Sequence, residues 1–190
     1  MTTRLLPRAI IGLSAIAVMM SSPVPARTGA SQTSAAELRI PGSIKAEHEA
    51  IHAALIAAMQ TPGRVGIAAK ALAEVLHPHF VREEQIALPP LGLLASLASG
   101  EVPSDSQATP ALEMSDALRH ELPRMLEEHV RIRAAVEALR VAALADLAPA
   151  HERLAEDLAL HARTEEDVLY PAAILVGDLI RIRRQAGAAR

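Results

Sequence analysis

Residues 79–89 have the sequence HFVREEQIALP, and residues 161–171 have the sequence HARTEEDVLYP. Both fit the pattern H-x-x-x-E-E-x-[IV]-x-x-P, in which a glutamate follows a histidine at position i+4. Residues four apart lie on the same face of an α-helix. Each stretch is therefore predicted to be a helix that presents one imidazole and one carboxylate together, and the proline marks where the helix stops.

A second pair of stretches precedes these two in the chain. Residues 47–55 are EHEAIHAAL and residues 128–136 are EHVRIRAAV, which share the pattern E-H-x-x-I-x-A-A-apolar. His48 and His129 are 81 residues apart, and His79 and His161 are 82 apart, so the two halves of the chain are nearly in register. This duplication predicts two similar helical hairpins packed about a pseudo-twofold axis, as an up-down-up-down four-helix bundle.

The composition supports an all-α fold. Hydrophobic residues make up 51% of the chain but aromatic residues only 1%. Alanine and leucine dominate, and the strand-forming residues are too sparse for a sheet. The bundle is assigned to residues 43–184, and the connection over residues 91–110 joins its halves. The predicted helices are Ser43 (as N-cap) to about Gln60, Val65 to Leu88 with a kink at Pro78, Ala111 to Ala145 bent or interrupted at Pro123, Pro149 to Tyr170, and a short terminal helix from Pro171 to Arg184.

The first 26 residues have the features of a signal peptide. Arg4 and Arg8 form a basic start, residues 9–20 are apolar, and residues 21–26 are small residues and prolines. The apolar stretch is shorter than the roughly 20 residues that a membrane-spanning helix needs. We therefore expect cleavage and export to the periplasm or the medium, with an N-terminal membrane anchor as the alternative. Residues 27–42 are predicted to be a disordered linker.

Charge and cysteine content narrow the chemistry. The net charge of −3 gives no indication of a nucleic-acid partner. The chain contains no cysteine, which excludes disulfides, thiolate metal sites and a thiol nucleophile. Any metal ion has to be bound through nitrogen and oxygen atoms.

A helical wheel separates the histidines into two classes. One histidine on each of the four helices lies in the apolar stripe, and Glu83 and Glu165 share the stripes of helices two and four, whereas Glu84 is predicted to face water. A single inward histidine is most simply a satisfied core histidine, but six buried polar groups would each cost several kcal/mol if unpaired. A dimetal site resolves that cost better than a metal-free polar cluster. Its predicted ligands are His48, His79, Glu83, His129, His161 and Glu165.

The remaining histidines are weaker predictions. His77, His120 and His151 point away from the core stripes and are predicted to lie at the surface. His52 lies one turn beyond His48 and about 40° from it, so it is either a further nitrogen ligand or a donor that supports a ligand.

These motifs resemble those of the hemerythrin-like HHE cation-binding family, over about residues 43–171. The resemblance rests on E-H-x-x-I in helix one, H-F-x-x-E-E in helix two, E-E-H-x-x-I-R in helix three and H-x-x-x-E-E-x-x-L-Y-P in helix four. It implies an oxo- or hydroxo-bridged di-iron centre in which Glu83 and Glu165 are bridges. The oxygen-carrying members of the family have a second histidine one turn before the ligand of helix three, and here that position is Met125. Fewer nitrogen ligands leave more open positions, which favours reactivity over stable oxygen carriage.

The functional hypothesis is a non-haem di-iron protein that binds or reacts with a small diatomic or peroxide, namely oxygen, nitric oxide or hydrogen peroxide. It would act as a carrier, sensor or scavenger. One alternative is a peroxide or nitric oxide reductase that uses the same centre and an external electron donor, for which no binding motif is visible. A second alternative is an exported metal storage or trafficking protein, because divalent metals other than iron also accept these ligands. A third is a metal-free helical interaction module.

Overall fold

The computed structural model describes residues 38–188, and this part of the chain consists of helices and connecting turns without a β-strand. The all-α prediction is therefore confirmed. The predicted signal peptide and the predicted linker as far as residue 37 lie outside the described residues. None of the helices within residues 38–188 has the length and apolar character needed to cross a membrane.

Four of the helices surround a common interior. α1 contacts α2 and α5, and α4 also contacts α2 and α5, so the four form a closed ring, while α6 packs along α4. A 3₁₀ turn, Pro89–Leu93, follows α2. The helices are α1 (Gly42–Met59), α2 (Arg64–Ile86), α3 (Leu94–Ala98), α4 (Asp105–Ala145), α5 (Pro149–Thr164) and α6 (Tyr170–Ala188).

Two predicted helix starts are wrong. Ser43 lies inside α1 and is not its N-cap, because the carbonyl oxygen of Pro41 already accepts a hydrogen bond from the Lys45 N–H at 3.0 Å. α4 begins at Asp105, six residues before the predicted start. The Ser104 N–H donates to the Gln107 side chain at 3.3 Å in a capping box, which stabilises the earlier start.

α2 and α4 both continue through internal prolines. α2 contains Pro78 and α4 contains Pro110 and Pro123, and α4 is not interrupted at Pro123. Leu118 and Met125 are both fully buried on either side of Pro123. The packing of these side chains holds the helix together across the missing N–H.

The predicted break between the fourth helix and the terminal helix is also wrong. A π-helical turn, Glu165–Leu169, joins α5 to α6, and the Tyr170 N–H donates to the carbonyl of Glu165 five residues earlier. This wider turn changes which side chains face inward. Val168 would lie on the same face as His161 in a regular helix, seven residues further on, but it is 55% exposed, whereas Tyr170 is fully buried.

The hydrophobic core contains three clusters, and the bundle helices pass from the first of them to the second. On α2, Leu76 belongs to the first cluster and Ile86 to the second; on α4, Ile132 belongs to the first and Met125 to the second. The residues between these positions form a polar layer between the two clusters. Every predicted metal ligand lies in this layer.

Candidate metal centre

The structure brings the six predicted ligands together. They come from α1, α2, α4, α5 and the π-helical turn, and they converge because each lies where the chain passes between the two apolar clusters. None is more than 3% exposed. They form two groups that could each hold a cation: the His79 group (His79, Glu83, His129, Glu165) and the His48 group (His48, His161, Glu165).

The ligand atoms of the His79 group face one another at short range. The Nε2 atoms of His79 and His129 are 2.8 Å apart. The Nε2 atom of His79 is 3.3 Å from Glu83 Oε1, and that of His129 is 3.5 Å from Glu165 Oε2. A cation bound through two imidazoles and two carboxylates fits this arrangement.

The His48 group uses the other oxygens of the same carboxylates. Glu165 Oε1 is 2.8 Å from His161 Nε2 and 3.5 Å from His48 Nε2. The second oxygen of Glu83, Oε2, is 4.0 Å from His48 Nε2. Each carboxylate therefore presents one oxygen to each group.

Several of these atoms have no hydrogen-bond partner among the described residues. They are His48 Nδ1, His48 Nε2, His161 Nε2, Glu83 Oε2 and Glu165 Oε1, and all are buried. A buried polar atom without a partner costs about 1–3 kcal/mol. Four of the five point toward the His48 group, so the donor set fits a cation there as well.

A second layer of carboxylates contacts the opposite side of the imidazoles. Each histidine has its Nδ1 atom near one glutamate: His79 with Glu128 at 3.0 Å, His129 with Glu166 at 2.7 Å, His161 with Glu47 at 3.1 Å and His48 with Glu84 at 3.5 Å. A carboxylate at Nδ1 fixes the tautomer in which the Nε2 lone pair is free to bind a metal.

The sequence analysis missed these outer carboxylates, although their signal was present. They are the first residue of each repeated Glu-His pair and the second residue of each repeated Glu-Glu pair. Glu84 was predicted to face water, and its side chain is 51% exposed, yet its carboxylate also approaches His48. The wheel gave the direction of the Cβ atom but not the reach of a long side chain.

The outer carboxylates differ between the two groups. Those of the His79 group are held by arginines, because Arg124 Nε donates to Glu128 at 3.0 Å and Arg133 donates to Glu166. Their side chains are 15% and 24% exposed. Glu47 and Glu84, which serve the His48 group, are 53% and 51% exposed. The His79 group is therefore the more firmly held of the two.

The carboxylates also change the proton affinity of the imidazoles in the metal-free chain. Burial lowers the pKa of His79, but the hydrogen bond and charge of Glu83 outweigh it and raise the pKa to about 9. The pKa of His161 is raised to about 9 in the same way by Glu165. Burial raises the pKa of Glu165, yet the neighbouring imidazoles of His129 and His161 hold it well below its usual value. Protons on His79 and His161 therefore occupy the place of a cation.

Tyr170 is a further member of the layer that the sequence analysis did not assign. Its hydroxyl donates to Glu83 Oε1 and lies 3.1 Å from His129 Nε2 and 3.4 Å from His79 Nε2. Burial and the charge of Glu83 raise the pKa of Tyr170, so the phenol is protonated in the metal-free chain. On a regular α-helix Tyr170 would lie about 140° from Glu165, and only the π-helical turn brings both inward.

The other four histidines lie outside the two groups. His52 is exposed, belongs to neither group and stacks its ring on that of His77, with centroids 6.3 Å apart. His77 and His120 are exposed, as predicted, whereas His151 is partly buried and hydrogen-bonds to Thr61 at 3.1 Å. Met125 is fully buried in the second apolar cluster.

A comparison with protein families identifies the domain. The family model described as the hemerythrin HHE cation binding domain matches residues 40–173. The chain belongs to this family. The match extends from just before α1 into α6 and includes every residue of the two groups, which confirms the resemblance derived from the motifs. Comparisons with curated proteins and with solved structures gave no match.

Proposed function

We propose that this hemerythrin HHE protein binds two iron ions within an up-down-up-down bundle, and that the centre binds or reacts with a small diatomic or peroxide. One ion would lie in the His79 group and the other in the His48 group. Oxygen, nitric oxide and hydrogen peroxide are the ligands considered, and the role would be that of a carrier, sensor or scavenger.

The observation that supports a two-ion centre most directly is the division of the two carboxylates between the groups. Glu165 offers Oε2 to the side of His129 and Oε1 to the side of His161, and Glu83 divides its oxygens in the same way. A carboxylate that bound a single cation would have no reason to direct its second oxygen toward another pair of imidazoles. Two bridging carboxylates are a common device of helical-bundle metal centres.

Burial supports a small ligand. All six predicted ligands are at most 3% exposed, and apolar clusters cover the polar layer on both sides. A centre buried in this way favours a small ligand over a bulky substrate. Bound iron would supply open coordination positions and reversible change of oxidation state, while the protein would orient the imidazoles through their Nδ1 contacts and keep bulk water away.

The direct test is metal content and the visible spectrum of the purified full chain. We expect about two irons per chain and an absorption change when oxygen, nitric oxide or peroxide is added. Stoichiometric zinc, manganese or copper with no response to these molecules would instead favour metal storage or trafficking. Steady consumption of peroxide or nitric oxide with an added electron donor would favour a reductase.

Single substitutions test the assignment of the ligands. His79→Ala and His161→Ala are each expected to abolish stoichiometric metal binding and to lower the melting temperature of the loaded protein. His120→Ala is the matched control, because His120 is exposed on α4, and it should do neither. Metal content by elemental analysis and melting by circular dichroism give the two readouts. Equal effects from all three variants would contradict the site.

A further inference from the structure

Tyr170 is the single tyrosine of the chain. Its side chain is fully buried, and its oxygen faces the same small space as two imidazole nitrogens and a carboxylate oxygen. The family match names a cation-binding domain but gives no role to this residue. In this position Tyr170 can either donate a hydrogen bond to Glu83 or bind the cation directly.

The distances are those expected of neighbouring ligands around one ion. Two ligand atoms at right angles, each about 2.1 Å from a metal, lie about 3 Å apart. The three edges between His79 Nε2, His129 Nε2 and the Tyr170 oxygen measure 2.8, 3.1 and 3.4 Å. The phenol oxygen therefore occupies the place of a third ligand on one face of a coordination polyhedron.

Metal binding would also remove the present partners of the phenol. In the metal-free chain the Tyr170 oxygen lies within hydrogen-bond distance of His79 Nε2 and His129 Nε2, ring nitrogens that donate only when they carry a hydrogen. An imidazole that binds a metal through Nε2 has no hydrogen on that atom. The buried oxygen would then face the cation at ligand distance, with only Glu83 as its other partner.

The backbone explains why only one of the two groups has a phenol. In both hairpins the residue before the proline donates its N–H to a glutamate carbonyl five residues earlier: Tyr170 to Glu165, and Leu88 to Glu83 at 3.0 Å. The duplicated wide turn places the equivalent side chain in the core each time. Leu88 is a hydrocarbon, so the His48 group receives no equivalent oxygen.

We propose that Tyr170 is a ligand, through its phenolate oxygen, of the metal ion held by the His79 group, which makes the two metal positions unequal. When the bond forms, the phenolic O–H bond breaks, the proton leaves to solvent and no electron is transferred. The ion of the His48 group keeps the larger number of open positions, so the small molecule binds there. This inference rests on the proposed metal-binding function.

The test uses the full chain loaded with iron(III). A phenolate bound to iron(III) gives an intense visible charge-transfer band and ring vibrations that are enhanced when this band is excited in resonance Raman spectroscopy. Because the chain has one tyrosine, such a signal can come only from Tyr170. We expect the band in the wild-type protein and its complete loss in Tyr170→Phe, which keeps the ring but removes the oxygen. The iron content of the variant should fall by less than half.

A second measurement does not depend on a variant that folds. Wild-type protein made with ring-deuterated tyrosine should show the enhanced vibrations shifted to lower frequency. Iron-loaded wild-type protein with no phenolate band, or with a band that persists in Tyr170→Phe, would overturn the assignment of Tyr170 and leave the metal centre intact. A wild-type chain that holds no metal would overturn the proposed function itself, so the two failures are distinguishable.

Discussion

Each inward histidine contacts a carboxylate through the nitrogen that faces away from the centre. An imidazole has two distinct nitrogens, and the hydrogen bond made by one decides whether the other offers a lone pair. The four Nδ1 contacts, to Glu47, Glu84, Glu128 and Glu166, follow the sequence repeat, because each contact has its counterpart between the equivalent residues of the other half. The two halves of the chain therefore share the glutamates that orient the histidines as well as the histidines themselves.

We expect Glu128→Gln to weaken metal binding by about 10–100-fold, the usual effect of removing a partner of a metal-binding histidine. Glutamine keeps the shape of the side chain but loses the negative charge at His79 Nδ1 and the ion pair with Arg124. Competition with a chelator of known affinity measures the change. Glu127→Gln is the control, because Glu127 is the exposed neighbour on α4, and equal weakening in both variants would refute a specific role for Glu128.

The helices that supply the ligands could be predicted from the sequence because each is marked by a repeated motif and an apolar stripe. The wheel that placed His79, His129 and Glu83 inward assumes about 100° per residue throughout. That assumption fails in the π-helical turn, where Val168 turns outward and Tyr170 inward. The residues before Pro171 are compatible both with a helix that ends there and with a π-helical turn that continues into α6, because a proline can follow either. The packing of α6 on α4 favours the π-helical turn.

The contact between α6 and α4 depends on a glycine. A Cβ atom on Gly177 would lie 2.6 Å from Ser115 Cβ, and Ser115 donates its hydroxyl hydrogen to the Ala173 carbonyl at 2.8 Å. The two helices are therefore closer here than any larger side chain allows. Because α6 begins with Tyr170, this contact also positions the tyrosine that reaches the polar layer.

Gly177→Ala is expected to destabilise the protein by about 1–3 kcal/mol, the usual cost of overpacking a close contact. The substitution forces α6 away from Ser115, and this cost exceeds the gain in helix propensity of about 1 kcal/mol. Gly187→Ala is the matched control on the same helix, since no atom lies within 4 Å of its added Cβ. Urea unfolding should show the first variant less stable than wild type and the second at least as stable; the reverse order would disprove the close contact.

At the scale of the whole bundle, a polar layer divides the hydrophobic core. Burying charged groups is costly unless they compensate one another. In the metal-free chain the compensation comes from protons on His79 and His161, which pair with Glu83 and Glu165. A cation replaces those protons when it binds. Metal and protons therefore compete for the same layer, and the stability of the whole fold depends on which of them is present.

This competition predicts that the metal-free protein loses stability as the pH rises from 6.5 to about 9. The folded-state pKa values of His79 and His161 are raised from 6.5 to about 9. Their contribution is thus complete below 6.5 and is lost as the pH passes through about 9. Bound metal should oppose the loss, adding about 2.7 kcal/mol at a free concentration of 100 times its Kd. Thermal melts of the chelator-treated and metal-loaded chain across this window measure both effects.

Replacement of His79 and His161 is the control for this prediction, and its design depends on the groups that face the two histidines. His79 faces Glu83, Glu128, His129 and Tyr170, and His161 faces Glu165, Glu47 and His48. We expect the slope between pH 6.5 and 9 to come from His79 and His161, whose pKa values are raised to about 9. Replacing both with glutamine should flatten it in the metal-free protein and should also remove the stabilisation by metal. If stability still falls with pH in the double variant, groups other than His79 and His161 titrate in this window. The stability of the bundle would then not depend on the charge of these two histidines.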